Sequence, residues 1–269
     1  MAEWLLQANP ILLALLATLF TWSCTAFGAS FVFTTEEASP KLFDAMLAFA
    51  GGVMIAASFW SLLDPAIEMV KEQGIPPYIP AAFGFLLGGM FLLMVDRVLP
   101  LINENMYFKD ITSGRAKQRT AKLVLSITLH NIPEGLAVGV AFGILAIDFS
   151  TNALYGAIAL AIGIGIQNIP EGIAVSVPLR REGLSVKKSF FYGQLSGMVE
   201  PIAAIIGAIA VYFMEPLLPY ALSFAAGAML FVVVKDIIPA SHERGNVLLA
   251  TMSLLFGFVL MMVLDLAFG

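Results

Sequence analysis

Eight apolar runs dominate this chain, at roughly 10–33, 41–63, 79–102, 121–145, 154–178, 188–213, 217–239 and 246–268. A bilayer core takes about 20 helical residues to cross, so each run is long enough to span. Together they leave only short connections. The runs show no alternation of apolar and polar faces, which argues against a membrane β-barrel. Only 12% of the residues are charged and mean hydropathy is +0.91. A soluble domain of 269 residues needs far more polar surface. The expectation is an all-α membrane protein of eight transmembrane helices, forming one domain over residues 1–269 with a connecting loop at about 103–120. The first run follows Glu3 and no base, so it reads as a span rather than a cleavable signal.

Charge sets the orientation. Of the fourteen Lys and Arg, thirteen fall in or beside the connections after spans 1, 3, 5 and 7, and only Lys71 falls on the other side. Positive charge marks cytoplasmic loops. Both termini are therefore expected outside, in a multi-pass cell (inner) membrane protein. A net charge of −5 and the lack of a basic, aromatic-interleaved patch disfavour a nucleic-acid partner. The single cysteine, Cys24, excludes an internal disulfide framework.

Two stretches repeat. His130-Asn131-Ile132-Pro133-Glu134-Gly135-Leu136-Ala137-Val138-Gly139-Val140 in span 4 matches Gln167-Asn168-Ile169-Pro170-Glu171-Gly172-Ile173-Ala174-Val175-Ser176-Val177 in span 5 at eight of eleven positions, 37 residues apart. Neighbouring spans run in opposite directions, so the shared motif implies an inverted repeat. A fainter match, five of nine positions, relates Leu47–Ile55 of span 2 to Leu222–Leu230 of span 7 at an offset of 175.

Glu134, Glu171 and Glu200 sit well inside spans 4, 5 and 6. A charge at mid-membrane costs about 2.5–3.5 kcal/mol on insertion scales, which marks a functional site. No Lys or Arg lies at their depth, so protonation or a bound cation must neutralise them. Helical spacing puts His130 beside Glu134 and Gln167 beside Glu171, with Asn131 and Asn168 one residue round. Imidazole, carboxylate and amide together suit a divalent transition metal. Pro133, Pro170 and Pro201 each withdraw a backbone N–H beside a buried Glu, which predicts broken backbone lining a polar path. Asp64 and Glu68 at one end of the pathway, and His242 and Glu243 at the other, are candidate entrance and exit residues. An intramembrane metal hydrolase, a cation channel without alternating access, and a proton-coupled organic solute carrier are the rival readings.

The paired motifs, with Gly193-Gln194-Leu195-Ser196-Gly197 leading to Glu200-Pro201, resemble the ZIP (Zrt/Irt-like) metal transporters, in particular the prokaryotic GufA-type branch. The resemblance covers the whole chain. It implies a carrier rather than an enzyme, with no catalytic cofactor. The cargo would be Zn2+, with Cd2+, Fe2+ or Mn2+ as alternatives, and the partners the lipid bilayer and a homodimer mate. It further implies a binuclear metal centre. His130, Glu134, Gln167 and Glu171, with Met54 of span 2, match the first site. Asn131, Glu134, Asn168, Glu171 and Glu200 match the second, with Glu134 and Glu171 bridging. It also implies rocking of spans 1, 4, 5 and 6 against 2, 3, 7 and 8. Three departures stand out. Asn168 replaces an Asp found in some relatives, residues 103–122 lack histidine, and Lys235 and Ala240 stand where acids are expected.

Overall fold

A computed structural model describes residues 8–34, 39–72, 76–98, 114–147, 150–181, 183–213 and 215–268. Among these residues there is no strand, and nearly all are helical. Helix α1 spans Pro10–Ser30, with Pro10 in its first turn and the Asn9 side chain accepting from Ile11 N at 2.8 Å. Helix α2 runs Pro40–Ala57, passes through a π-helical turn at Ser58–Leu63 and continues over Asp64–Glu72. Helices α3, α4 and α5 are Tyr78–Val98, Gly114–Ile144 and Thr151–Arg181. Helix α6 is Val186–Leu195, a 3-10 turn at Ser196–Met198, then Val199–Phe213. Helix α7 is Leu218–Val232, a π-helical turn at Val233–Ile237, then Ile238–His242, and α8 is Val247–Phe268. Among the described residues seven helical stretches are long and apolar enough to cross a membrane, and α4 adds the shorter apolar stretch Asn131–Ile144.

The eight runs become eight helices, with corrected ends. Helix α2 does not stop at 63 and α7 does not stop at 239. Each π turn lies just before a proline, Pro65 or Pro239, and its longer hydrogen-bond loop absorbs the missing N–H so that the helix continues. Helix α4 begins at Gly114, inside the loop expected at 103–120, because Ala116, Lys117, Gln118 and Arg119 are good helix formers that a hydropathy reading passes over. The rest of that loop lies outside the described residues.

The closest helix pairs are α1 with α5, α2 with α8, α3 with α7 and α4 with α6. Exchanging 1 with 6, 2 with 7, 3 with 8 and 4 with 5 maps this set onto itself. The detail obeys the same exchange. The π turns begin at Ser58 and Val233, 175 positions apart, the offset of the fainter sequence repeat. A side chain on Gly52 would strike Leu254 O of α8 at 1.9 Å, and one on Gly227 would strike Phe85 O of α3 at 1.9 Å. Lipid gives helices no hydrophobic reason to associate, so close backbone approach at small residues takes over. The eight helices thus form two groups, α1/α4/α5/α6 and α2/α3/α7/α8.

The second group is tied at one end. Asp44 near the start of α2 is buried and accepts from Arg244 Nη1 at 2.6 Å and Asn246 Nδ2 at 2.8 Å. The Arg244 guanidinium also lies over the Phe43 ring, 4.6 Å from its centroid. Gly245, at φ 81°, supplies the left-handed residue that turns α7 into α8 here. Arg244→Ala removes the charged partner and leaves the buried carboxylate to Asn246 alone. It should cost about 2 kcal/mol after discounting for the partial exposure of Arg244, read as a lower melting temperature in detergent.

Candidate metal centre

The duplicated motifs lie side by side on α4 and α5. Both helices stay α-helical through Pro133 and Pro170, so the broken backbone expected at all three prolines is confined to α6. There the chain restarts at Val199, which places Pro201 in a first turn, where its missing N–H costs nothing. Three side chains donate to α6 around this break. Asn131 Nδ2 reaches Ser196 O at 2.9 Å, Trp22 Nε1 reaches Gln194 O at 2.8 Å, and Asn168 Nδ2 reaches Glu200 Oε1 at 2.8 Å.

Asn131, Glu134, Gln167, Asn168, Glu171 and Glu200 are all buried. Gln167 Nε2 donates to Glu134 Oε1 at 2.5 Å, joining the two motifs. The amides thus spend their N–H groups on neighbours and leave their oxygens free. Asn131 Oδ1, Glu134 Oε2, Gln167 Oε1, Asn168 Oδ1 and both oxygens of Glu171 have no hydrogen-bond partner. A buried acceptor without a donor costs about 1–3 kcal/mol, and more when charged. These six oxygens lie on two helices joined by the Gln167–Glu134 bond and are buried acceptors without donors. Among the described residues no three His, Cys, Asp or Glu form a group able to hold an ion, and the free amide oxygens of Asn131, Gln167 and Asn168 add to the carboxylates. Met54 is fully buried on α2, a helix that packs against α5. The backbone of His130 is helical, one turn before Glu134, and its side chain lies outside the described residues.

The end residues are spread apart. Asp64 and Glu68 are exposed on the last segment of α2, and Glu68 is paired with Lys71. His242 is half-buried at the end of α7, with Glu243 exposed beyond it.

A family model described as ZIP Zinc transporter matches the chain over residues 8–122 and 111–265. The chain belongs to the ZIP family. Zinc transporter ZIP11 of Xenopus tropicalis is 41% identical, covering 97% of this ZIP chain and 98% of the relative. Zinc transporter GufA of Myxococcus xanthus is 39% identical, covering 95% and 98%. Zinc transporter ZIPB of Bordetella bronchiseptica is 35% identical, covering 92% and 79%.

The structure of this ZIP protein adds residues that the sequence reading passed over. Thr21 of α1 donates its hydroxyl to Glu200 Oε2, and its carbonyl accepts from Asn168 Nδ2 at 3.1 Å. The signal in the sequence is the spacing of Thr18, Thr21 and Thr25, three and four residues apart on one helix face; the structure buries all three. Asp265 is a further buried acid inside the spans. It is 8% exposed on α8 and accepts from Ser61 Oγ at 2.6 Å, while its Oδ2 has no partner. Only four residues from the end of the chain, it reads in the sequence as a helix-end acid.

Proposed function

We propose that this ZIP protein carries divalent transition-metal ions, zinc foremost, across the cell (inner) membrane toward the cytoplasm through the centre between α4, α5, α6 and α2. The observation that carries the reading is the set of six partnerless buried oxygens on the two helices of the duplicated motif. The names of the relatives support zinc as cargo. Carboxylate, amide and imidazole together also admit Cd2+, Fe2+ and Mn2+. Positive charge on one side argues for both termini outside. On that orientation Asp64 and Glu68 concentrate ions at the outer mouth, and the half-free Asp265 is a stepping point next to Ser61. The ion exchanges its water for Glu134, Gln167 and Glu171, with His130 and Met54 completing the first site and Asn131, Asn168 and Glu200 bordering the second. It leaves near His242 and Glu243. Glu134 and Glu171 bridge when both sites fill.

Alternating access follows from the two groups of helices. The centre belongs mostly to α1/α4/α5/α6, so rocking of this group against α2/α3/α7/α8 exposes it to one side and then the other. Purified protein in liposomes should take up radioactive zinc in a saturable way, with cadmium, iron and manganese competing, and should carry zinc by elemental analysis. A flux that rises linearly with zinc concentration favours a channel. Absence of both uptake and bound metal overturns the proposal.

A further inference from the structure

Glu200 differs from the other two carboxylates of the centre. Both its oxygens are engaged, Oε2 by the Thr21 hydroxyl and Oε1 by Asn168 Nδ2. Glu134 has one oxygen free and Glu171 has two. Thr21 holds both partners of the closed lobe, since its carbonyl also accepts from Asn168 Nδ2 at 3.1 Å. The lobe around Glu134, Gln167 and Glu171 stands open to an ion. The lobe around Glu200 is latched from α1.

The latch has a second resting place. Thr21 Oγ1 also lies 3.1 Å from Thr18 O, one turn back on its own helix. A threonine hydroxyl in a helix satisfies itself on such a carbonyl. One proton therefore has two acceptors within reach, Glu200 and Thr18 O. An ion that takes Glu200 leaves the hydroxyl satisfied, so release costs the difference between the two bonds.

We infer that Thr21 is a positioning residue that sets how many ions the centre holds, keeping Glu200 from the second ion until its hydroxyl moves to Thr18 O. This rests on the reading of the centre as a metal site. The wild-type protein then binds one divalent ion tightly and a second one weakly. Thr21→Val keeps the branched shape and removes the donor. Glu200 Oε2 becomes partnerless like its neighbours, and the second ion should bind about 10- to 100-fold more tightly, the worth of one hydrogen bond to a charged group. Thr21→Ser keeps the donor and should behave as wild type.

Titration calorimetry with zinc, checked by elemental analysis, tests this on the purified full chain. The expected result is one tight and one weak ion for wild type and Thr21→Ser, and two tight ions for Thr21→Val. Thr21→Ala gives the same readout if the valine variant does not fold. Equal second-ion affinity in wild type and the donor-less variants overturns the inference, as does a wild type that binds two ions equally. Failure of wild type to bind zinc at all strikes the metal-site reading itself.

Discussion

Glu171→Gln should reduce zinc uptake by about 100-fold or more while raising the stability of the metal-free protein. The two effects have one cause. Glu171 is buried, and neither carboxylate oxygen has a partner. Without a cation that charge is a burden on the fold. Glutamine keeps the shape, removes the charge and offers an N–H2 to a cluster rich in free acceptors. The metal-free protein should gain on the order of 1 kcal/mol, one buried acceptor's share of the penalty. Uptake should fall because removing even an outer-shell partner of a metal site costs about 10- to 100-fold, and Glu171 would be a ligand itself. Liposome uptake and the melting temperature in chelator measure the two halves. A variant that loses uptake and melts much earlier would make Glu171 a packing residue. Glu200→Gln should harm uptake less, because Glu200 is held by Thr21 and Asn168 before any ion arrives.

How legible each part of the centre was follows from its cost. Glu134, Glu171 and Glu200 stand out because a mid-membrane acid is rarely kept without a reason. The duplicated motif relates Glu134 to Glu171, but the bond from Gln167 to Glu134 across the repeat is not readable from spacing along one helix. Thr21 carries only the weak signal of its spacing with Thr18 and Thr25, because a threonine is cheap in an apolar helix, bonding to its own backbone in most settings. Asp265 and Asp44 do not stand out in the sequence because both lie within a turn of a span's edge, where acids are common. Burial of Asp44 depends on a turn two hundred residues away folding Arg244 onto it. The helix ends were misplaced for a local reason. Prolines normally end helices, and the sequence carries no sign that a π turn will let α2 and α7 run past Pro65 and Pro239.

The internal symmetry bears on movement as well as on origin. The two helix groups each map onto themselves under the exchange of 1 with 6, 2 with 7, 3 with 8 and 4 with 5. A cavity open to one side is converted by that exchange into one open to the other, which is the geometric content of alternating access in inverted-repeat carriers. The group proposed to bind the ion carries the exchange between α4 and α5, where the duplicated motif lies. The other group carries it at the paired π turns of α2 and α7, which lie at matching positions.

Gly52→Ala tests that second group most directly. Alanine is the better helix former by about 1 kcal/mol, so helix propensity alone predicts a gain. The crossing predicts a loss. A Cβ on Gly52 would lie 1.9 Å from Leu254 O and 2.7 Å from Phe258 N, both backbone atoms of α8 that no rotamer change can move. The two helices must part, giving up the packing that holds α8, a helix otherwise largely exposed on the outside of the bundle. The net cost should exceed about 4 kcal/mol, among the largest for a single substitution. Gly227→Ala, its mate under the exchange, meets Phe85 O of α3 at 1.9 Å and should be equally damaging. Gly89→Ala is the control. Its nearest neighbour is a Phe231 ring carbon at 3.8 Å, an ordinary contact, so propensity decides and stability should hold or rise slightly. Melting temperatures in detergent, with size-exclusion profiles for any variant that aggregates, separate the three. If Gly52→Ala melts like Gly89→Ala, α2 and α8 do not cross in backbone contact at Gly52, and the same outcome for Gly227→Ala would remove the crossing of α3 and α7.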